Sequence, residues 1–253
     1  MEVHHHPHTQ RSGEKRKFKE YFLEFLMLFL AVTLGFLAES LRERIVRNEK
    51  EEHFIKSLVQ DIKKDITDLR DVMTTQNFIL AKMDSALRIP VTRLRDINSQ
   101  DTFFHHFFFF YAWTAEFHQN NNTYSQLVNA GGFSVIHKQE VIDSISLFNS
   151  FAQQQVIANG KYYLDYYDKI VQLATQLMDL PEMPPTVGDS LFTSIPHRVE
   201  FFSRYDLPLL KQLYSLIRYD KGTLVYYVSQ EEEYRRNAER MIEYLDKTYN
   251  LKE

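Results

Sequence analysis

The chain has 253 residues, 44% hydrophobic and 25% charged, with seven Gly, seven Pro and no Cys. So few turn formers favour long helices over a many-turned β fold, and the absence of cysteine excludes disulfides, thiolate metal sites and cysteine nucleophiles. The formal net charge of -4 excludes the strong basic field that captures nucleic acid, so no nucleic-acid partner is expected.

Residues 1–20 read as a leader, His-rich and then basic. His4, His5, His6 and His8 flank Pro7, and neutral imidazoles at this density are candidate ligands for a transition metal such as Zn, Ni, Cu or Fe. Arg11, Lys15, Arg16, Lys17 and Lys19 then form the charged flank of a signal peptide or signal anchor.

The stretch 21–38, YFLEFLMLFLAVTLGFLA, carries a single charge, Glu24. As a helix it spans about 27 Å, close to the hydrocarbon thickness of a bilayer, which predicts a transmembrane helix over 21–39. The apolar pattern runs past Gly35 and Ala38 straight into Glu39-Ser40-Leu41-Arg42. That continuity favours a retained anchor over a cleaved signal. Basic residues follow as well as precede it, but the short N-terminal tail with compact positive charge predicts a cytoplasmic N-terminus and a periplasmic or extracellular main domain. Ala31 and Gly35 form a small-xxx-small pair suited to close helix approach, and Glu24 is an ionisable group that reaches toward the headgroups.

A second helix pattern, 40–88, continues from the anchor. Leu41, Ile45, Asn48, Glu52, Ile55, Val59, Ile62, Ile66, Leu69, Met73, Gln76, Leu80, Met83 and Leu87 are spaced alternately four and three apart. This period of 3.5 predicts a packing seam, against later helices or against a second copy. Asn48, Glu52 and Gln76 interrupt it; polar seam residues set register or oligomer state, and the first two also suit a hydrated stalk. Pro90 ends the pattern.

An aromatic run from Phe103 to Trp113 predicts a short buried helix over 102–118, with His105 and His106 as core histidines. HQNNNT at 118–123 is a polar break, and Gly131-Gly132 ends a short helix begun at Tyr124. The apolar set from Val141 to Leu177 predicts a helix over 138–179 in which Gly160 is a tolerated weak point. Prolines 181, 184, 185 and 196 mark a break at 180–196. The last helix, 206–249, has a seam from Leu210 to Thr248 that includes Asp220 and Glu231, while Glu231-Glu232-Glu233 and Arg235-Arg236 read as solvated faces with local ion pairs. No phosphate-loop, dinucleotide, zinc-protease or nucleophile-elbow pattern occurs, and no Glu-x-x-His of a di-iron bundle lies on matching inward positions.

The fold expected is all-α. One N-terminal transmembrane helix continues into a long helix, which packs in an antiparallel bundle with a short aromatic-rich helix over 40–253. MEVHHHPH, FKEYFLEFLMLFLAVTLGFLAES, NTYSQLVNAGG and AERMIEYLDKTYNL together resemble an uncharacterised family of single-pass membrane proteins of Bacteroidetes-type bacteria that carry a His-rich leader. The resemblance implies a bacterial inner-membrane protein and supplies no reaction or catalytic residue. The leading expectation is a non-enzymatic scaffold or interaction subunit that sits in the lipid bilayer and self-associates or docks onto an envelope complex. Two readings stay beside it: a metal-binding or metal-sensing protein that uses the leader histidines, and a bundle that senses a ligand in Tyr- and Phe-lined cavities.

Overall fold

The structure, a computed structural model, describes residues 12–129, 131–180, 202 and 205–251. It is all-α: α1 (Ser12–Leu87), α2 (Ile97–Ala112), α3 (Asn122–Asn129), α4 (Gln139–Phe151), α5 (Ala158–Leu177) and α6 (Leu207–Tyr249). A 3-10 turn, Val91–Arg95, precedes α2, another, Gly132–Val135, follows α3, and a π-helical stretch, Ala152–Ile157, joins α4 to α5. The chain divides into two compact units, Met1–His53 and Phe54–Glu253, and α1 contributes to both. The leader histidines His4, His5, His6 and His8 lie outside the described residues, as does the proline-rich break beyond Leu180.

In the first unit, the helix is apolar on every side from Tyr21 to Ala38, apart from Glu24. From Phe18 to Val46 its large hydrophobic residues other than Leu26 are between 37% and 74% exposed, and none of the most apolar window is buried. This helix is long and apolar enough to cross a membrane. Ala31 and Gly35 are exposed, and nothing lies within 4 Å of where a Gly35 side chain would start. Glu24, Asn48 and Glu52 are also exposed. Thr33 returns its hydroxyl to the Phe29 carbonyl at 2.7 Å, which satisfies its one polar group without a partner chain.

In the second unit, α1 turns amphipathic. Ile55, Val59, Ile62, Leu69, Gln76 and Met83 of the predicted seam are buried, joined by Leu58, Asp65, Ile79 and Ala86. The buried face is therefore wider than a two-position coiled-coil seam, as a bundle helix with neighbours on two sides requires. Leu41, Ile45, Asn48 and Glu52 of the same series are exposed.

Helix α2 starts at Ile97, earlier than the aromatic pattern suggested, because Asp96 caps it by accepting from the Ser99 amide at 2.9 Å. Phe103, Phe104, Phe107, Phe108, Phe109 and Phe110 are all buried. Six rings in eight positions cover every side of a helix, so α2 is surrounded on all faces. Phe103 stacks between Phe107 at 5.7 Å and Tyr214 of α6 at 5.3 Å. Helix α2 ends at Ala112 rather than 118, with Trp113 extended and the residues up to Asn121 outside any helix. The Tyr167 hydroxyl accepts the duty of closing that end by donating to the Tyr111 carbonyl at 2.6 Å.

The helix expected over 138–179 is interrupted by the π turns. Phe148, Ala152, Val156 and Gly160 are all buried and follow one another at intervals of four. In a regular α-helix each interval of four drifts about 40° round the axis, so the wider π turns are what keep these residues on one face. Helix α5 then packs along α6, whose buried series from Leu210 to Leu245 alternates three and four, and whose ends carry Asp206 as N-cap and Asn250 in the left-handed conformation.

Candidate functional site: a polar row inside the bundle

The unusual chemistry of the bundle is internal. Asp65, Gln76, Asp220 and Glu231 have at most 1% of their surface exposed, although the residues around them are aromatic or aliphatic. Asp220, Tyr227, Glu231 and Tyr234 all fall on the buried face of α6, so the row follows the same spacing as the apolar core. The Glu231-Glu232-Glu233 run is thus split: Glu231 is buried, while Glu232 and Glu233 pair with Arg235 at 2.6 Å and Arg236 at 2.5 Å in the solvated ladder the sequence suggested. Reading all three as one solvated face fails because consecutive helical residues differ by about 100° in direction.

At one end, the Tyr234 hydroxyl donates to Asp65 at 2.5 Å, and the backbone and side-chain amides of Asn120 donate to the same carboxylate at 2.7 Å each. Asp61 accepts from the Thr123 amide at 3.0 Å. The polar break HQNNNT is therefore a docking strip whose backbone is pinned to α1. Burial, reinforced by the negative Asp61, raises Asp65 above the usual carboxylate range, against the pull of Tyr234 and Asn120. Burial together with Asp65 likewise raises the Tyr234 phenol.

In the middle, the Gln76 side-chain amide donates to Glu231 at 2.9 Å and to the Ala115 carbonyl at 3.1 Å. The Phe117 amide donates to the Tyr227 hydroxyl at 2.9 Å. Residues 113–117, expected as helix, lie outside any helix, which leaves their backbone free to make these two bonds to buried side chains. Gln76, a polar seam residue in the sequence, is a member of this junction. Burial lifts the Glu231 carboxyl to about 7, opposed by its hydrogen bonds with Gln76 and Tyr227.

At the other end, the Thr223 hydroxyl donates to Asp220 at 3.2 Å, and Tyr163 of α5 lies near enough for Asp220 to raise its phenol beyond the effect of burial. Burial lifts Asp220 to about 7. Tyr163 and Tyr227 stack at 6.3 Å and link the two carboxyl sites. Gly160 is required here: a Cβ at that position would sit 2.8 Å from the Tyr227 hydroxyl. The sequence reading of Gly160 as a merely tolerated weak point is corrected by that close approach.

Taken together, the row sets two carboxyls raised by burial, Asp220 and Glu231, among aromatic neighbours in the interior of the bundle. Asp220 and Glu231 were legible as seam positions in the sequence; Asp65 was not, because it falls between the apolar residues Ile62, Ile66 and Leu69 on a helix that carries acidic residues on other faces as well. Elsewhere, His105 and His106 are half-buried on α2, and burial, with help from Lys82 and His105, lowers His106. Lys82 itself lies 4.3 Å above the Phe109 ring. An open groove of about 330 Å³ between α4 and α6 is lined by Phe148, Phe151, Met241, Tyr244, Asn237 and Arg240.

No family model, curated protein or solved structure matches this chain. Among the described residues no group of three or more His, Cys, Asp or Glu is placed to hold a metal ion.

Proposed function

We propose that the protein is a single-pass protein of a bacterial inner membrane, N-terminus in the cytoplasm, whose periplasmic helical bundle acts as a non-enzymatic scaffold or interaction subunit. The observation that carries this reading is the first part of α1, where side chains from Phe18 to Val46 expose apolar surface on every side. Such a surface is stable in lipid or against other apolar helices and is far larger than a water-facing helix sustains. Ala31 and Gly35 supply the close-approach face for self-association within the bilayer. The bundle adds a folded body with a filled aromatic core, suited to presenting surfaces to an envelope complex.

The test is the mass of the full-length protein in lipid nanodiscs, compared between wild type and Gly35→Leu. A defined oligomer that Gly35→Leu dissociates is the expected result. A wild-type monomer overturns self-association, and recovery of the chain from the soluble fraction of cells overturns the anchor.

A further inference from the structure

Asp220 and Glu231 are fully buried, and each leaves a carboxyl oxygen, Oδ2 and Oε2, without a hydrogen bond of good geometry. The Tyr163 hydroxyl and Gln76 Oε1 are in the same condition. The groups that face Asp220 are Tyr163 of α5 and Thr223 of α6. Those that face Glu231 are Gln76 of α1 and Tyr227 of α6, with Glu116 acting on Tyr227. Among the described residues no lysine, arginine or histidine acts on either carboxyl. The neighbouring cations are engaged elsewhere: Lys221 with Asp84, and Arg235 with Glu232 and Glu239. A carboxylate anion at either position would be an uncompensated charge in an apolar core, which a protein tolerates only by admitting water.

We propose that the buried face of α6 is a proton-operated latch: Asp220 and Glu231 hold it closed on α5 and α1 as neutral acids, and loss of their protons opens it. Opening runs along α5. That helix is entered through π turns, which interrupt the regular α-helical ladder, and it meets Tyr227 through Gly160, which contributes no side chain to the contact. Burial lifts both carboxyls to about 7, which sets the working range of the latch around neutral pH.

The sign follows from linkage. In an opened or unfolded chain these carboxyls ionise near their ordinary value of about 4, so the closed state binds more protons. Closure is therefore strongest at or below about pH 4, weakens as pH rises from there toward the closed-state value, and levels off above it. Between about pH 6 and about pH 8 each group favours opening by about tenfold, and the two together by about a hundredfold.

Hydrogen exchange on the full-length protein in nanodiscs, corrected for intrinsic rates, reads this directly. The wild type is expected to lose about a hundredfold of protection across α5 and the centre of α6 over that interval. Asp220→Asn or Glu231→Gln alone leaves about tenfold, and the double variant leaves none. Wild-type protection that is flat with pH overturns the proposal. So does an unchanged pH response in the double variant, which would assign the effect to histidines such as His105 and His106. Should the variants fail to fold, infrared spectroscopy of the wild type decides: the carbonyl band of a protonated carboxylic acid is present at about pH 6 and lost by about pH 8, and its absence at the lower pH overturns the latch.

Discussion

The stretches 18–46 and 55–87 belong to one helix and solve opposite problems. In the first, apolar side chains point in every direction and are exposed. In the second, apart from the exposed Phe78, the large ones are gathered on one broad face and buried or partly buried. A helix that is apolar all round matches a surrounding that is itself apolar, whereas one with an apolar face matches a protein core on one side and water on the other. The difference is thus a statement about solvent, written in the distribution of hydrophobic residues rather than in their number.

Matched substitutions sharpen that contrast. Leu69 is fully buried, and Leu69→Ala should destabilise the bundle by about 2–5 kcal/mol in thermal or denaturant unfolding, whereas Leu30→Ala should leave the same transition unmoved. Equal effects from the two would break the comparison. Leu30→Asp places a carboxylate in the middle of the apolar stretch and should raise the free energy of membrane insertion by about 3 kcal/mol, read as loss of the chain from carbonate-washed membranes. Undiminished retention would count against lipid as the surrounding of this segment. The smallest effect is expected on α6, where Glu233 pairs with Arg236 at 2.5 Å on an exposed face. Glu233→Gln should leave the unfolding midpoint within experimental scatter, because water and salt already screen the pair.

That last substitution also sets the outer acids of α6 against the inner ones. Glu232 and Glu233 lie below the usual carboxylate range because arginines pair with them, while Asp220 and Glu231 lie above it because burial leaves their charge without compensation. The same residue type on one helix is therefore an ordinary surface ion at one angle and a proton-holding group at another.

Much of this was legible in the chain itself. The apolar stretch with its single Glu24, the three-and-four spacing of α1 and α6, and the scarcity of Gly and Pro carry the helices, because hydrophobic periodicity is a local property that survives in any packing. The aromatic run announced a buried helix, though not its limits. Its start depends on the Asp96 cap, and its end on Tyr167 reaching the Tyr111 carbonyl from a distant helix. The intervals of four from Phe148 to Gly160 contained the signal of the π turns, which a search for the α-helical period passes over.

By itself, then, the sequence determined the all-α class, the apolar N-terminal helix and which face of α6 turns inward, since each is set by the order of apolar and polar residues along one element. Only the tertiary structure decided that Asp65 is buried, that HQNNNT docks on α1, that Gly160 makes room for Tyr227, and that Asp220 and Glu231 have no cation beside them among the described residues. Those facts depend on which side chains from distant parts of the chain meet, and burial without a compensating charge is a property of that meeting rather than of any residue alone.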